Sequence, residues 1–511
     1  MRKALAIILV LVILFAGCQK TEKTPEIEGT KINLSDNEIT VDGKLVTNDS
    51  TQAVYKANDI VFYLAGQDFK YGEGEKADEH EQSEADAHTV VHITKPGTYV
   101  LSGELSKGQI AVDLGEDAEE NPEAVVTLVL NNVDITCTVA PAVIFYNVYE
   151  CCESDEEKAT KDVDTSKAGA NVVVADGTEN NINGSYVAKI YKSYELNEEG
   201  TEVVDSKKLH KYDGAFYSKK TMNVNGGEKG DGVLNIKAEN EGLDSELHLT
   251  INGGNINITS GNDGINTNED NVSVTTVNGG NLNVFVDGST GEGDGIDSNG
   301  WLVINGGSVT AQACATSGDA GIDSDKGIYI NGGSVTASGN MLDHIAGGEQ
   351  TYAVFSFSSR QVGDSTYYLK NADNKTIGEY RPTNDFTYLL IAGDYLAEGD
   401  YTFWQGDTQL SGAKTEMGNM GEMTPPNGEE MPMPEGMERP ENMTRPQGER
   451  PEMPEGMTPP EGMENMTPPD GFNRGDKGQF GEMQMSGNAS ATFTIVKGVN
   501  QFSGVAPITV A

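Results

Sequence analysis

The stretch "DGIDSNGWLVINGGSVTAQ", residues 294–312, returns 26 residues later as "AGIDSDKGIYINGGSVTAS", residues 320–338, with 12 of 19 positions identical. Asn-Gly-Gly recurs at Asn225, Asn252, Asn278, Asn305 and Asn331, at intervals of 27, 26, 27 and 26 residues. A short alternating strand such as "LTI", "LVI" or "IYI" precedes most of these triplets, and "NINIT", "NLNVF", "SVTAQ" or "SVTAS" follows. A unit this short cannot bury an apolar face alone, so a fixed period implies stacking. Strand-only repeats imply an all-β solenoid, a parallel β-helix.

Alternation places Leu249/Ile251, Leu302/Ile304 and Ile328/Ile330 as inner apolar columns, with Thr250, Val303 and Tyr329 facing out. Gly306 and Gly332 are expected to take the positive φ of a sharp corner, and each preceding Asn to bond its neighbours above and below. The glycine pairs open no helix, so they form no dinucleotide fingerprint.

A G-I-D-like step precedes most of these strands: Asp213-Gly214, Gly242-Leu243-Asp244, Gly264-Ile265-Asn266, Gly295-Ile296-Asp297 and Gly321-Ile322-Asp323, with "MLDH" adding Asp343. At a stacking distance of ~4.8 Å Asp297 and Asp323 lie side by side, with Asp244 and Asp343 further along. Carboxylates that close repel by about 1 kcal/mol in water and by several in a lower dielectric. Calcium, which takes six to eight oxygens, is the natural compensation. Asp294, Asp319 and Asp325 strengthen the two adjacent repeats, and Asp263 supports the one before. The alternative is that each Asp caps its own turn by accepting from a backbone N–H.

Eighty Asp+Glu against 35 Lys+Arg give a net charge of −45. That field repels nucleic acid and anionic membrane surfaces and attracts divalent cations. Arg2 and Lys3 precede the apolar run Ala4–Ala16, which is too short to span a bilayer but fits a secretory signal, residues 1–17. "LFAGC" resembles a bacterial lipobox, with Phe15 where Leu is usual. Cys18 is then lipidated, followed by a linker, 18–30, and the protein is extracellular, held to the membrane only by that lipid. A plain signal peptide cut nearby is the alternative. Cys137, Cys151, Cys152 and Cys314 have no zinc-like spacing; a disulfide from Cys137 to one of the pair, and buried free thiols, both remain open.

The repeat domain is expected over 31–350, with polar inserts near 71–88, 150–170 and 193–212 read as loops at its corners. His80 and His88 fall in an acidic stretch, read as a solvated loop. Past 350 the period stops. Segments 351–412 and 488–511 carry strands such as "TYAVFSFSS" and "DYTFWQG", expected to form a small antiparallel closing domain over the last repeat. Between them, 413–487 holds 13 of 16 methionines and 12 of 18 prolines without period, and is expected to be disordered. Met431/Met433 and Met483/Met485 are pairs of the kind that hold Cu(I); a plain linker is the simpler reading.

"ITKPGTYVLSGELSKGQIAVD", "VTLVLNNVDIT", "VVVADGTENNING", the D-G-I/N-G-G repeats and "YAVFSFSSRQ" together resemble a bacterial cell-surface carbohydrate-binding β-helix family, best known from clostridial cellulose degraders. The resemblance covers roughly 85–412 and 490–511. It implies a right-handed parallel β-helix similar to polysaccharide lyases, bound calcium, and binding of cellulose-like and acidic, pectin-like glycans without demonstrated lyase activity. The three inserts and the Met-rich segment depart from the family, so loop-borne contacts do not carry over.

Sugars stack their apolar faces on aromatic rings and bond their hydroxyls to Asn, Asp and Lys. Trp301 and Tyr329, outward on successive repeats, and Lys326 are the expected contacts. A calcium-dependent lyase also needs a base, for which Lys326 is the candidate; beside Asp323 and Asp325 it serves equally as charge compensation. A structural adhesin is the third class. The expected function is calcium-dependent polysaccharide binding by a monomer.

Overall fold

The computed structural model describes residues 27–415 and 488–508. The signal segment, Cys18 and the paired methionines lie outside the described residues. Among those described, helix is confined to Gln82–Ala85 and two 3-10 turns, and strands form the rest of the framework. The protein is all-β.

Each repeat contributes to three parallel tracks. In the first, Met222–Gly226, His248–Ile251, Val274–Val277, Trp301–Ile304 and Gly327–Ile330 pair in unbroken register, Met222 with Leu249, Thr275, Leu302 and Ile328 in turn. In the second, Val233–Ala238, Asn255–Ser260, Asn281–Val286, Ser308–Gln312 and Ser334–Gly339 align Leu234, Ile256, Leu282, Val309 and Val335. The third aligns Val143, Phe216, Leu243 and Ile265, then continues through single bridges to Ile296 and Ile322. These columns are buried and, Thr275 apart, belong to one continuous apolar core. Upstream, Val126–Cys137 serves the first two tracks as one long strand, pairing with both Ala170–Val174 and Glu179–Gly184. In the later repeats Asn-Gly-Gly bends the chain at that point.

At those corners the second glycine, rather than the first, is left-handed: Gly307 has φ 81° and Gly333 φ 82°. Gly306 and Gly332 are required for a different reason, since a Cβ on either would lie 2.5 Å from the carbonyl oxygen of Asn278 or Asn305 in the repeat before. The asparagines do form a ladder. Asn252, Asn278 and Asn305 each donate Nδ2 to Oδ1 of the preceding Asn at 2.9 Å, and Asn331 to Asn305 at 2.8 Å. A second ladder, Asn181, Asn235, Asn257 and Asn283, runs along the neighbouring track.

The C-terminal strands are stitched to the last repeat. Phe386–Ala392 pairs antiparallel with both Ser334–Gly339 and Tyr352–Gln361, and Val499–Pro507 returns parallel to Tyr352–Gln361. Phe355, Phe386, Phe403, Phe493 and Phe502 form a separate aromatic core there.

Two inserts differ from the loops expected. Residues 193–212 belong to a hairpin, Val187–Leu196 with Val203–Tyr212, whose residues are mostly exposed between 192 and 209, so the segment needs no alternating apolar stripe. His88 is fully buried rather than solvated: its Nδ1 bonds Glu84 O at 2.9 Å and its Nε2 accepts from Thr138 N at 3.2 Å. Burial holds its pKa below the ordinary value, so the ring is a neutral pin.

Candidate functional site

The G-I-D step places acids in two neighbouring columns. Gly242 N bonds Asp263 O, and Gly264 N bonds Asp294 O, both at 3.0 Å, which aligns the acids preceding each glycine: Glu241, Asp263 and Asp294. Three residues on, the pairing of Asp244 with Asn266 and the bridges at Ile265, Ile296 and Ile322 align Asp244, Asn266, Asp297 and Asp323.

Near the C-terminal end, carboxylate oxygens of Asp294, Asp297 and Asp323 lie within 4.8 Å of one another. Asp294 and Asp323 are buried and Asp297 half-buried. Capping accounts for part of this group. Asp263 accepts from Asp294 N at 2.7 Å, Asp294 from Ala320 N at 2.6 Å, Asp319 from Gly293 N at 2.6 Å, and Asp343 from Ser324 N at 3.0 Å. Burial, then the nearby Asp323 and Asp263, hold Asp294 well above the carboxylate range. Burial likewise raises Asp263 and Asp343 to about 7. Asp325 is exposed and is not one of the three acids whose oxygens converge.

A second group is more deeply enclosed. Asp213, Glu241 and Asp244 also converge within 4.8 Å, and all three are buried. Lys211 Nζ pairs with Asp213 Oδ2 at 2.7 Å, Asn266 Nδ2 donates to Glu241 Oε1 at 3.1 Å, and Asn268 Nδ2 donates to Asp244 Oδ1 at 2.8 Å. Three further oxygens, Glu241 Oε2, Asp244 Oδ2 and Asn266 Oδ1, are buried without any hydrogen-bond partner. Their residues are 6%, 0% and 8% exposed. Burial, and then neighbouring carboxylates, push both Glu241 and Asp244 well up. An orphaned buried acceptor costs about 1–3 kcal/mol, more if charged. One lysine cannot neutralise three carboxylates. Hard oxygen donors, an excess of negative charge and unmet acceptors fit a divalent cation of the calcium class.

Asp244 was legible as a candidate ligand. Asp213, Glu241 and Asn266 were not assigned as ligands, although Asp213 and Asn266 lie in the recurring step and Glu241 occupies the position of Asp263 and Asp294 before the glycine. That shared position was the available signal.

A polar groove of about 440 Å³ runs across the first track. Asn223, Asn225, Thr250, Asn252, Thr276 and Asn278 are among the residues lining it, and residues 163–166 of the 150–170 insert form one side. That side is anchored on the floor: Thr165 Oγ1 bonds Asn223 Oδ1 and Thr250 Oγ1, each at 2.8 Å, and Asn223 Nδ2 donates to Thr165 O at 2.8 Å. Thr250, expected to face solvent, is therefore buried.

Val303 and Tyr329 continue the positions of Thr250 and Thr276 in register, and Val303, also expected to face solvent, is buried like Thr250. Lys161, from the same insert, holds its ammonium 5.2 Å from the Tyr329 ring centre. Trp301 is half-buried and pairs with Val274 and Gly327, so it sits two positions away from Tyr329 in register. Lys326 is exposed, its backbone N–H bonded to Gly300 O at 2.7 Å.

Among solved structures, the polysaccharide lyase-like protein from C. thermocellum, a gadolinium derivative, aligns with 63% of this chain and 93% of its own at 19% identity, with a TM-score of 0.32. No curated protein matches. The model of the carbohydrate-binding domain-containing family matches residues 87–373, a span that includes both acid groups, the groove and its wall. The chain belongs to the carbohydrate-binding domain-containing family.

Proposed function

We propose that the protein is a calcium-dependent polysaccharide-binding module, anchored at the cell surface through Cys18, whose amide-lined groove takes a neutral, cellulose-like chain. The carrying observation is the groove itself: carboxamides and hydroxyls repeat along its floor at the strand spacing, ~4.8 Å, close to the length of one pyranose unit. Side-chain amides and hydroxyls satisfy sugar hydroxyls without charge. Tyr329 and Trp301 supply apolar surface beside the run.

Calcium in the two acid groups relieves the buried charge and fixes the repeats that form the floor. Asp213, Glu241, Asp244 and Asn266 hold one ion; Asp294, Asp297 and Asp323 hold another, with Asp263, Asp319 and Asp343 around them. An acidic, pectin-like chain approaches a surface this negative where calcium bridges the charges. The winding is that of a right-handed parallel β-helix.

The reading is of a binder and not a lyase. Incubation with polygalacturonate and calcium, following absorbance of the 4,5-unsaturated uronide, distinguishes the two. Retention on the polymer with flat absorbance supports the binder, and loss of retention in EGTA supports the role of calcium. A steady rise that disappears in Lys326→Ala makes the protein an enzyme.

A further inference from the structure

Cys151 and Cys152 open the insert that walls the groove, and their Sγ atoms stand 3.0 Å apart. Both are half-buried, and both thiols face the Asp164 carbonyl, at 3.9 and 3.8 Å. Glu150 fixes one side of the pair. Its carboxylate accepts from Thr221 N and Oγ1 at 2.8 and 2.7 Å and from Cys152 N at 3.0 Å. On the other side Asp164 leads directly into Thr165, the residue that clamps the wall to the floor. Cys137 and Cys314, by contrast, are buried, and burial lifts the Cys137 thiol to about 12.

We propose that Cys151 and Cys152 are a reversible redox modification site, closed into a vicinal disulfide by a small-molecule disulfide oxidant. The Cys151 thiolate attacks one sulfur of the oxidant, forming a mixed disulfide and releasing one thiol. Cys152 then yields its proton to water and attacks Cys151 Sγ, which releases the second thiol. Two protein S–H bonds are exchanged for one S–S bond, and the oxidant's S–S bond for two S–H bonds.

The geometry asks for little movement, since the sulfurs need to close by about 1 Å to reach bonding distance. Acceptance of a hydrogen bond from Cys152 lowers the Cys151 thiol below its ordinary pKa, which suits it to attack first. Adjacent Cα atoms, ~3.8 Å apart, lie closer than an unstrained disulfide prefers, so the bond is readily reduced again. Closing it leaves no S–H in the pair to donate to the Asp164 carbonyl that both sulfurs face, and so loosens the wall. That last consequence rests on the polysaccharide-binding reading; the disulfide does not.

The test treats the folded full-length chain with oxidised glutathione, blocks free thiols with iodoacetamide, and maps peptides by mass spectrometry. The peptide carrying Cys151 and Cys152 should be lighter by two hydrogens and unalkylated, and should take two alkyl groups after reduction. Cys152→Ser should stop at a glutathione adduct on Cys151. Alkylation of both cysteines after oxidant, or stable glutathione on both, overturns the proposal. If the disulfide forms but glycan retention is the same in both redox states, the modification site stands and its link to the groove falls. Absence of retention in either state counts against the polysaccharide reading alone.

Discussion

Asn266 donates its amide to Glu241 Oε1 at 3.1 Å, yet its own Oδ1 has no hydrogen-bond partner in a site it shares with Glu241 Oε2 and Asp244 Oδ2. Three unmet buried oxygens within one small volume are an expensive arrangement unless a cation completes it.

Calcium should therefore raise the melting temperature, because an ion that binds only the folded chain adds roughly 2.7 kcal/mol at a hundredfold excess over Kd. Glu241→Gln combined with Asp244→Asn should remove part of the calcium shift, and adding Asp297→Asn with Asp323→Asn should remove the rest. Equal melting of wild type and quadruple variant, with calcium and with EGTA, would leave these acids as turn caps.

Corner geometry makes a separate prediction. Gly333 is left-handed, and a Cβ there would lie 2.7 Å from Gly307 O, whereas Gly177, also left-handed at φ 68°, has nothing within 4 Å. Gly177→Ala should cost only the backbone strain, about 1–2 kcal/mol. Gly333→Ala should cost clearly more, read by denaturant unfolding. Equal losses would mean that the repeats do not press together at the corner.

His248 is buried, accepts from Val274 N through Nδ1 at 3.0 Å, and has its pKa lowered by burial to about 4. The unfolded ring protonates near pH 6.5, the folded ring only near 4. Stability from this group is thus fully present above about pH 6.5 and lost as pH falls toward 4, by roughly 3 kcal/mol in all. The difference between wild type and His248→Gln in urea unfolding at pH 7 and pH 4 should shrink by that order. A constant difference would contradict the neutral, buried ring.

The repeat was legible because apolar residues alternate at a fixed period: Leu302/Ile304 and Ile328/Ile330 stack as their spacing required. The repeat between Leu249 and Leu302 was harder to see, since Thr275 stands in the apolar column, its hydroxyl 3.1 Å from Thr267 Oγ1. The Asp297–Asp323 neighbourhood followed from the same register. Glu241 escaped notice because a longer side chain reaches the site from a position that elsewhere holds Asp. The groove wall could not be read at all: Thr165 meets Asn223 across 58 residues, and no local pattern encodes that contact. His88 was obscured by its acidic surroundings, whereas its burial depends on Thr138, 50 residues away.

Asn252 and Asn278 lie in the middle of both the ladder and the groove floor. Calorimetric titration of a soluble neutral β-glucan oligosaccharide into the calcium-loaded chain tests the account most directly, with wild type compared with Asn252→Ala/Asn278→Ala. Wild type should bind saturably, and the double variant, still folded by its melting curve, should bind at least about tenfold more weakly, the loss of two hydrogen-bonding amides at ~1 kcal/mol each. Unchanged affinity in the folded variant, or no binding by wild type, would contradict the assignment of the groove.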